Sequence, residues 1–259
     1  MKQSLKQKLD YHYKYFDRSQ ISPDPLEFLH RYSDPKDIEV TGIISSVFAY
    51  GNVKQIIKTL EKIHNIMQNK PYEFVSNYSF ENGLEVFQNI KHRFFTSEDI
   101  ARFFNALNKS YKKYGSLNNM FLVLFKENNE DLKGALSLFS NQLTEFAVDN
   151  DKISLGIKFM FPDPFKGSAC KRMNLFLRWM VRKDELDFGL WNEIPASKLI
   201  IPVDTHVAKI CKQLKLTKRK NVSWKMAEEI TENLRKYDPV DPVKYDFAVC
   251  HIGMRKLKF

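Results

Sequence analysis

The chain has 259 residues and a formal net charge of +10, and 43% of its residues are hydrophobic. This length suits one large domain or two lobes that share a cleft, with enough apolar residues for a sizeable core. Because no stretch of about 18 apolar residues occurs, no membrane span is expected. The polar start from Met1 to Gln7 does not have the pattern of a signal peptide, so a cytoplasmic protein is expected.

The positive charge is concentrated in two segments. Residues 158–183 and residues 198–220 each contain seven Lys or Arg and one acid, so together they carry a net +12 and the rest of the chain carries −2. Such a local concentration favours a surface that binds a polyanion, with nucleic acid as the first candidate. A solvated basic surface without a ligand is the alternative interpretation.

The cysteines exclude two kinds of site. Cys170, Cys211 and Cys250 are far apart and form no metal-ligand motif and no disulfide framework. An iron–sulfur cluster needs four ligands, so no iron–sulfur cluster, no metal and no other cofactor is expected. All three cysteines lie among apolar residues, which is typical of small core residues.

The repeated helical spacing of apolar residues predicts an all-α fold, as do the nine glycines and the scarcity of β-branched alternation. A first helix is expected within residues 2–17. Asp34 and Pro35 are typical of a helix cap followed by proline in the first turn, and Gly51 is expected to end that helix. The segment 70–95 has no regular pattern and is expected to be irregular.

Helix boundaries are sharper in the rest of the chain. The segment 96–99, Thr-Ser-Glu-Asp, has the pattern of a capping box, and Gly115 is expected to end that helix. Another helix is expected at about 130–148. The last two helices are expected from Ser223 and from Asp241, which is followed by proline.

The segment 151–169 predicts a helix–hairpin–helix element. A short helix at 151–161 meets Pro162-Asp163-Pro164, and proline cannot continue a helix. The chain then turns through Gly167 and is expected to restart as a helix at Ser168. Two helices joined by a tight Pro/Gly turn define the element.

The helix from Ser168 carries a candidate nucleophile. Lys171, Leu175, Arg178 and Arg182 form one stripe, which is expected to face a cleft or solvent. Lys171 lies in the first turn, where the helix dipole disfavours the ammonium form. A nucleophilic lysine needs a neutral amine, so the position favours this role. An ordinary surface lysine is the alternative.

Asp204 is the candidate partner of this lysine. It precedes the apolar stripe of another helix and is typical of an N-cap. A capping carboxylate stays ionised, so Asp204 could both cap its helix and face a reacting centre, although a cap alone is the alternative. The chain between Lys171 and Asp204 is long enough to fold back and bring the two helix starts together.

The turn before the second hairpin helix offers backbone amides to a phosphate. The candidate DNA-binding residues are this turn, the basic residues expected around it and His206: Lys166, Gly167, Ser168, Arg172, Arg178, His206, Lys218, Arg219 and Lys220. A structural hydrogen bond is the alternative for His206. Trp179 and Trp191 are interpreted either as core residues or as side chains that stack on a base.

Several of these segments resemble the helix–hairpin–helix DNA glycosylase superfamily, the group of endonuclease III. The hairpin with Lys171 early in its second helix and the Val-Asp-Thr-His-Val run at 203–207 carry the resemblance. The interval from Lys171 to Asp204 is similar to that of the archaeal 8-oxoguanine DNA glycosylases. Further segments resemble a bacterial family known mainly as a conserved domain of unknown function: residues 34–40, 92–94, 171–182, 187–191 and 241–247.

The resemblance implies roles for individual residues. Lys171 would be the nucleophile that forms a Schiff base, and Asp204 would help to activate it and stabilise positive charge on the deoxyribose. Leu175 would line the base pocket, and the position that probes the DNA helix in relatives would lie near Asn52 or Gln55. The hairpin departs from the usual Gly-x-Gly, because Gly167 is its one glycine.

The resemblance also implies an architecture and a partner. Residues 35–185 would form a helical barrel-like lobe, and residues 1–34 with 186–259 a second lobe. The protein would be a monomeric glycosylase with abasic-site lyase activity on double-stranded DNA, with 8-oxoguanine as a candidate base, acting on the nucleoid. A non-catalytic DNA- or RNA-binding module on the same fold is one alternative. A helical partner-binding protein with an incidental basic face is another.

Overall fold

The structure is a computed structural model that describes residues 4–149 and 151–254. Within these residues it is built from helices, with two isolated β-bridges and no β-strand. The predicted all-α fold class is therefore confirmed. No helix in the described part of the chain is long and apolar enough to cross a membrane.

The chain divides into two compact units. The central unit comprises residues 23–163, and the terminal unit comprises residues 1–22 together with 164–259. These bounds differ from the predicted lobes, in which residues 164–185 belonged to the central part. The segment belongs to the terminal unit because its side chains and backbone pair there: the Trp224 N–H, for example, donates to the Gly167 carbonyl at 3.2 Å.

The central unit contains eight of the helices in the described residues. Short side chains cap most of them, because Ser, Thr, Asp and Asn accept the N–H groups that a helix start leaves unpaired. The predicted Asp34 cap, the capping box from Thr96 to Asp99 and the left-handed Gly115 C-cap are all confirmed. The helices are α2 Pro35–Phe48, α3 Val53–Ile66, α4 Pro71–Ser76, α5 Phe80–Val86, α6 Ser97–Tyr114, α7 Leu117–Glu127, α8 Leu132–Val148 and α9 Leu155–Met160.

The terminal unit joins one N-terminal helix to four helices from the last third of the chain. Helix α13 packs against both α1 and α11, which ties the two ends of the chain together. The helices of this unit are α1 Leu5–Tyr15, α10 Lys171–Val181, α11 Thr205–Gln213, α12 Trp224–Arg235 and α13 Asp246–Met254. Short 3-10 helices occupy Arg18–Gln20, Pro25–Arg31, Pro164–Lys166 and Ala196–Lys198 in the two units.

Four predicted boundaries were wrong. The helix expected at 151–161 is α9, which begins only at Leu155 because Ser154 is its N-cap. The segment 70–95 is not irregular, because Pro71 and the Ser79 cap start the short helices α4 and α5. The last helix begins at Asp246 and not at Asp241, since a turn intervenes. Helix α10 begins three residues after Ser168, because Cys170 has a left-handed backbone with φ 47°.

Candidate active site

Lys171 is the first residue of α10. The backbone before it is held out of the helix, since the Ser168 hydroxyl accepts from the Cys170 N–H at 3.2 Å and Cys170 takes left-handed angles. No side chain caps α10, in contrast to α11 and α12. The lysine therefore leaves the helix at its positive end, as the sequence predicts.

Asp204 has two separate functions in the fold. One carboxylate oxygen, Oδ1, accepts from the N–H groups of His206 and Val207 at 2.9 Å each, so Asp204 is the N-cap of α11. The other oxygen, Oδ2, lies 3.2 Å from Nζ of Lys171. The predicted cap is confirmed, and the same side chain also faces the lysine.

The pair is partly desolvated and still reachable from solvent. The Lys171 and Asp204 side chains are 28% and 26% exposed. Burial alone would raise the pKa of Asp204, but the Lys171 ammonium and the Val207 N–H outweigh it, so the pKa is lowered. The carboxylate is thus ionised at neutral pH, and its charge favours the ammonium form of Lys171, against the dipole of α10.

Three helix starts are connected around this pair. The Lys171–Asp204 contact joins the starts of α10 and α11, and the bond from the Trp224 N–H to the Gly167 carbonyl joins the start of α12 to the turn before α10. Each helix start is an electropositive end, and α10 is the one of the three whose first N–H groups have no side-chain cap, since Asp204 caps α11 and Ser223 caps α12. Together with the lysine, this arrangement favours a negatively charged ligand.

Several predicted DNA-binding residues of the terminal unit lie on its surface. The exposed ones are Lys166, Gly167, His206, Lys218, Arg219 and Lys220, and Ser168 is half-buried. Arg219 forms an ion pair with Glu229 at 2.9 Å, and Lys218 and Lys220 are exposed on either side of it in the chain. Leu175, predicted in the base pocket, is half-buried one turn after Lys171.

Arg172 and Arg178 do not belong to a DNA-binding surface. Both side chains are buried, and Arg178 forms ion pairs with Asp187 at 3.0 Å and with Asp246 at 2.5 Å. The predicted stripe of α10 is therefore partly exposed only at Lys171 and Leu175 and is buried from Arg178 onward. A buried arginine whose donors are held by two carboxylates is not available to phosphates.

Trp179 and Trp191 are core residues, so the core interpretation is correct and base stacking is excluded. Each is 1% exposed, and Trp191 packs edge-to-face on Phe176. Asn52, the predicted probe of the DNA helix, is exposed in the central unit and caps α3. Asn52 belongs to the central unit, whereas Lys171 belongs to the terminal unit.

The sequence did not predict the aspartates that form buried ion pairs with Arg178 and Arg182. Arg182 is held by Asp184, Asp187 and Asp241. A usable signal is present in the sequence, since two arginines four residues apart are followed by Asp187, Asp241 and Asp246, which lie in the segments that carry the resemblance. No group of three or more His, Cys, Asp or Glu side chains in the described residues has the arrangement of a metal site.

The terminal unit is thus an all-helical body with a lysine–carboxylate pair at joined helix starts. The chain belongs to the family described as Protein of unknown function (DUF2400), whose model matches residues 24–255. No curated protein and no solved structure is significantly similar to the chain. Lys171 and Asp204 both lie within the matched region, and the description of the family names no activity.

Proposed function

We propose that this chain is a base-excision DNA glycosylase with abasic-site lyase activity, in which Lys171 is the nucleophile. The observation that carries the proposal is the 3.2 Å contact between the Lys171 amine and Asp204, a carboxylate that is also fixed by two backbone N–H groups. A fixed carboxylate beside a partly exposed amine at electropositive helix starts suits chemistry on a nucleic-acid strand.

The reaction requires a nucleotide turned out of the duplex, so that C1′ of its deoxyribose is accessible. The Lys171 ammonium loses one proton to solvent, and the amine then forms a bond to C1′ while the N-glycosidic bond breaks. The second proton that the nitrogen gives up leaves with the base. Opening of the sugar ring then gives an imine between Lys171 and the sugar. Loss of a C2′ proton from that imine expels the 3′ phosphate by β-elimination.

Asp204 contributes charge more than proton transfer. Its pKa is lowered, which makes it a poor base and a permanent anion at neutral pH. An anion fixed by the two amide N–H groups is positioned to stabilise the positive charge that develops on the deoxyribose as the base leaves. It also holds Lys171 in one orientation, which lowers the entropic cost of the attack.

Double-stranded DNA is the proposed partner, and one chain is the proposed active form, since both members of the pair come from the same chain. The predicted helix–hairpin–helix is part of this proposal, with the exposed Lys166–Gly167 turn as its phosphate contact. The resemblance to the archaeal enzymes makes 8-oxoguanine the first damaged base to test.

The test is release of 8-oxoguanine and strand cleavage on two duplexes, one with 8-oxoguanine and one with an abasic site. Lys171→Gln should abolish both reactions and leave duplex binding within about 2-fold, because the variant keeps the polar contact and removes the nucleophile. Full activity in Lys171→Gln would overturn the proposed mechanism. Cleavage of the abasic duplex alone would keep the lyase chemistry and reject 8-oxoguanine as the base.

A non-catalytic DNA- or RNA-binding module is the second candidate. Its supporting observation is that the Asp204 carboxylate is fully accounted for by its cap and by an ion pair that favours the charged, unreactive form of Lys171. This candidate predicts salt-dependent binding without bond cleavage, and no effect of Asp204→Asn on anything but stability.

A further inference from the structure

The central unit displays two large side chains at the tip of one tight turn. Residues 92–95 form this turn, in which the backbone N–H groups of His92 and Phe95 each donate to the carbonyl of the other at 3.1 and 2.9 Å. The side chains of His92 and Phe95 are buried, whereas those of Arg93 and Phe94 are exposed. Phe94 is 60% exposed, which is unusual for the tip of an ordered turn.

Polar contacts with Tyr50 and Thr59 fix this turn. The Tyr50 hydroxyl donates to the His92 carbonyl at 2.8 Å and accepts from the Phe94 N–H at 3.3 Å. Below the turn, the His92 ring contacts the Tyr50 carbonyl through Nε2 at 3.2 Å and the Thr59 hydroxyl through Nδ1 at 3.0 Å. The exposed position of Phe94 is therefore preorganised, because the backbone on both sides of it is anchored.

The exposed ring is the outer member of an aromatic cluster. The Phe94 and Tyr50 rings stack with centroids 6.4 Å apart and an interplanar angle of 14°. Phe159 of α9 meets both rings edge-on, at 5.8 Å from Phe94 and 4.9 Å from Tyr50. The Arg93 guanidinium lies 5.3 Å from the Tyr50 centroid and 5.4 Å from the Phe94 centroid. One face thus combines flat rings with a positive charge.

Arg93 takes a strained backbone conformation to reach this place. Its φ is 54°, a left-handed value that a side chain other than glycine rarely adopts. Gly51 makes room for it, since a Cβ at that glycine would lie 2.8 Å from Cδ of Arg93. The strained backbone of Arg93 and its close packing against Gly51 thus hold a cation beside exposed aromatic rings.

A basic groove adjoins the turn. It has a volume of about 200 Å³ and is lined by Gln55, Lys58, Thr59, Lys62, Asn89, Ile90 and Lys91. Lys91 directly precedes the turn, and Thr59 contacts His92. All three lysines are exposed, and Glu61, the acid of α3, is occupied by Arg31 at 2.6 Å. The groove therefore presents uncompensated positive charge and amide groups, which suits a phosphate.

We infer that the turn 92–95 and this groove form a second nucleic-acid binding site, which stacks an unpaired base on Phe94 and holds the neighbouring phosphates with Lys58, Lys62 and Lys91. Aromatic faces beside a lysine-lined groove are the combination that binds single strands, because every base has a π face and every nucleotide a phosphate. An apolar protein surface would complement the rings but would leave the three lysines without acidic partners. The site does not use Lys171, so it extends beyond the proposed excision chemistry.

Binding of undamaged DNA tests the site without any chemistry. Fluorescence anisotropy of a labelled 15-nucleotide single strand and of the matching duplex gives the two dissociation constants. Phe94→Ala should raise the Kd for the single strand at least about 5-fold and change the Kd for the duplex less. Leu138→Ala, which removes a similarly placed exposed apolar side chain from α8 of the same unit, is the matched control and should change neither constant.

A second variant reports stacking directly. The native tryptophans Trp179, Trp191 and Trp224 are all buried, so in Phe94→Trp the new side chain is the exposed one. Its fluorescence should be quenched by the single strand, whereas the fluorescence of the unchanged protein should not be. Lys58→Gln, Lys62→Gln and Lys91→Gln should each lower the slope of log K against log salt by about 0.7 if the residue contacts a phosphate.

Unchanged single-strand affinity in Phe94→Ala, or absence of quenching in Phe94→Trp while the strand is bound, would overturn the site and leave the surface to a protein partner. Neither outcome bears on Lys171, because the test of Lys171 detects its chemistry on the sugar and not binding. Failure of the proposed function and failure of this site are therefore distinguishable.

Discussion

Helix α10 carries two kinds of positive charge, and the difference between them separates chemistry from architecture. Lys171 at its start is 28% exposed and lies 3.2 Å from one carboxylate, Asp204. Arg178 and Arg182, seven and eleven residues later, are 3% exposed and are held by several aspartates. All three share one stripe of the helix, yet only the first is reachable by a ligand.

The role of a basic side chain therefore depends more on the acidic side chains that pair with it than on its position along the helix. Arg178 pairs with Asp246 at 2.5 Å across 68 positions of sequence, which closes α13 onto α10. Burial opposes the charged form of Arg178, but Asp187 and Asp246 reverse this effect and raise its pKa. Arg178 and Arg182 stay charged and stabilise the unit, whereas Lys171 is partly exposed beside the fixed carboxylate of Asp204.

The largest expected effect is on stability. Arg178→Met should lower the free energy of unfolding by about 3–5 kcal/mol, because it leaves the carboxylate of Asp246 buried without its arginine and Asp187 with Arg182 alone. Lys171→Met, the matched change at the start of the same helix, should cost at most about 1 kcal/mol, since its pair is partly solvated. Urea denaturation of the two variants measures both values, and equal losses would contradict the division of roles along α10.

The next prediction separates the negative charge of Asp204 from its role as the N-cap of α11. Asparagine is as good an N-cap as aspartate, so Asp204→Asn should leave stability within about 0.5 kcal/mol. It should reduce the rate of abasic-site cleavage by about 100-fold, because the fixed negative charge is lost. Asp204→Ala should lose the same activity and a further ~1 kcal/mol of stability. Single-turnover kinetics beside thermal unfolding tests the pair, and a full rate in Asp204→Asn would reject its role.

A smaller effect is the difference between Asp246 and Asp204 in how each makes the stability depend on pH. Burial raises the pKa of Asp246 to about 6, with Arg178 opposing the shift. Because the folded chain then binds more protons than the unfolded chain, this contribution to stability is present below pH 4 and is lost as pH rises through 6. Burial also opposes the charge of Asp204, but Lys171 prevails and lowers the pKa, so that contribution is present above pH 4 and is lost at lower pH.

Urea denaturation from pH 3 to pH 7 distinguishes these signs. Asp246→Asn should remove a fall in stability between pH 4 and 6 of at most about 1.4 kcal/mol per pH unit. Asp204→Asn should leave that window unchanged and alter the curve only below pH 4. The slopes are compared and not the absolute stabilities, because Asp246→Asn also weakens a buried pair. The same slope in both variants would show that the two carboxylates have similar environments.

The smallest effects belong to the exposed basic run. Lys218→Gln and Lys220→Gln should change stability by less than about 0.5 kcal/mol, since both side chains are exposed. If they contact phosphates of a duplex, each should lower the slope of log K against log salt by about 0.9. Lys14→Gln, an exposed lysine of α1, is the control and should have no effect on the slope. Identical slopes in all three variants would remove the run from the DNA-binding surface.

What could be predicted from the sequence was mostly local. The Asp34, Thr96 and Ser223 caps and the Gly115 helix end follow from side chains that satisfy backbone groups within a few residues. Asp204 belongs to this group as well, and its meeting with Lys171 was expected because both begin helices and the chain between them can fold back.

What could not be predicted depends on partners distant in the chain. Arg178 and Trp179 look like exposed and stacking residues on a helical wheel, and their burial is decided by Asp246 and by packing within the terminal unit. The false helix start at Asp241 has the same origin, because its side chain is directed to Arg182 at 2.9 Å. The exposure of Phe94 could not be predicted, because a phenylalanine is more often buried.

The central claim is that Lys171 forms a covalent bond to the sugar, and borohydride trapping on an abasic-site duplex tests it most directly. Reduction of the imine would leave the strand attached to the protein, and peptide mapping would place the adduct on residue 171. The account predicts an adduct in the unchanged protein and none in Lys171→Gln, with duplex binding retained. An adduct that persists in Lys171→Gln, or no adduct on abasic and 8-oxoguanine duplexes that the protein still binds, would contradict it.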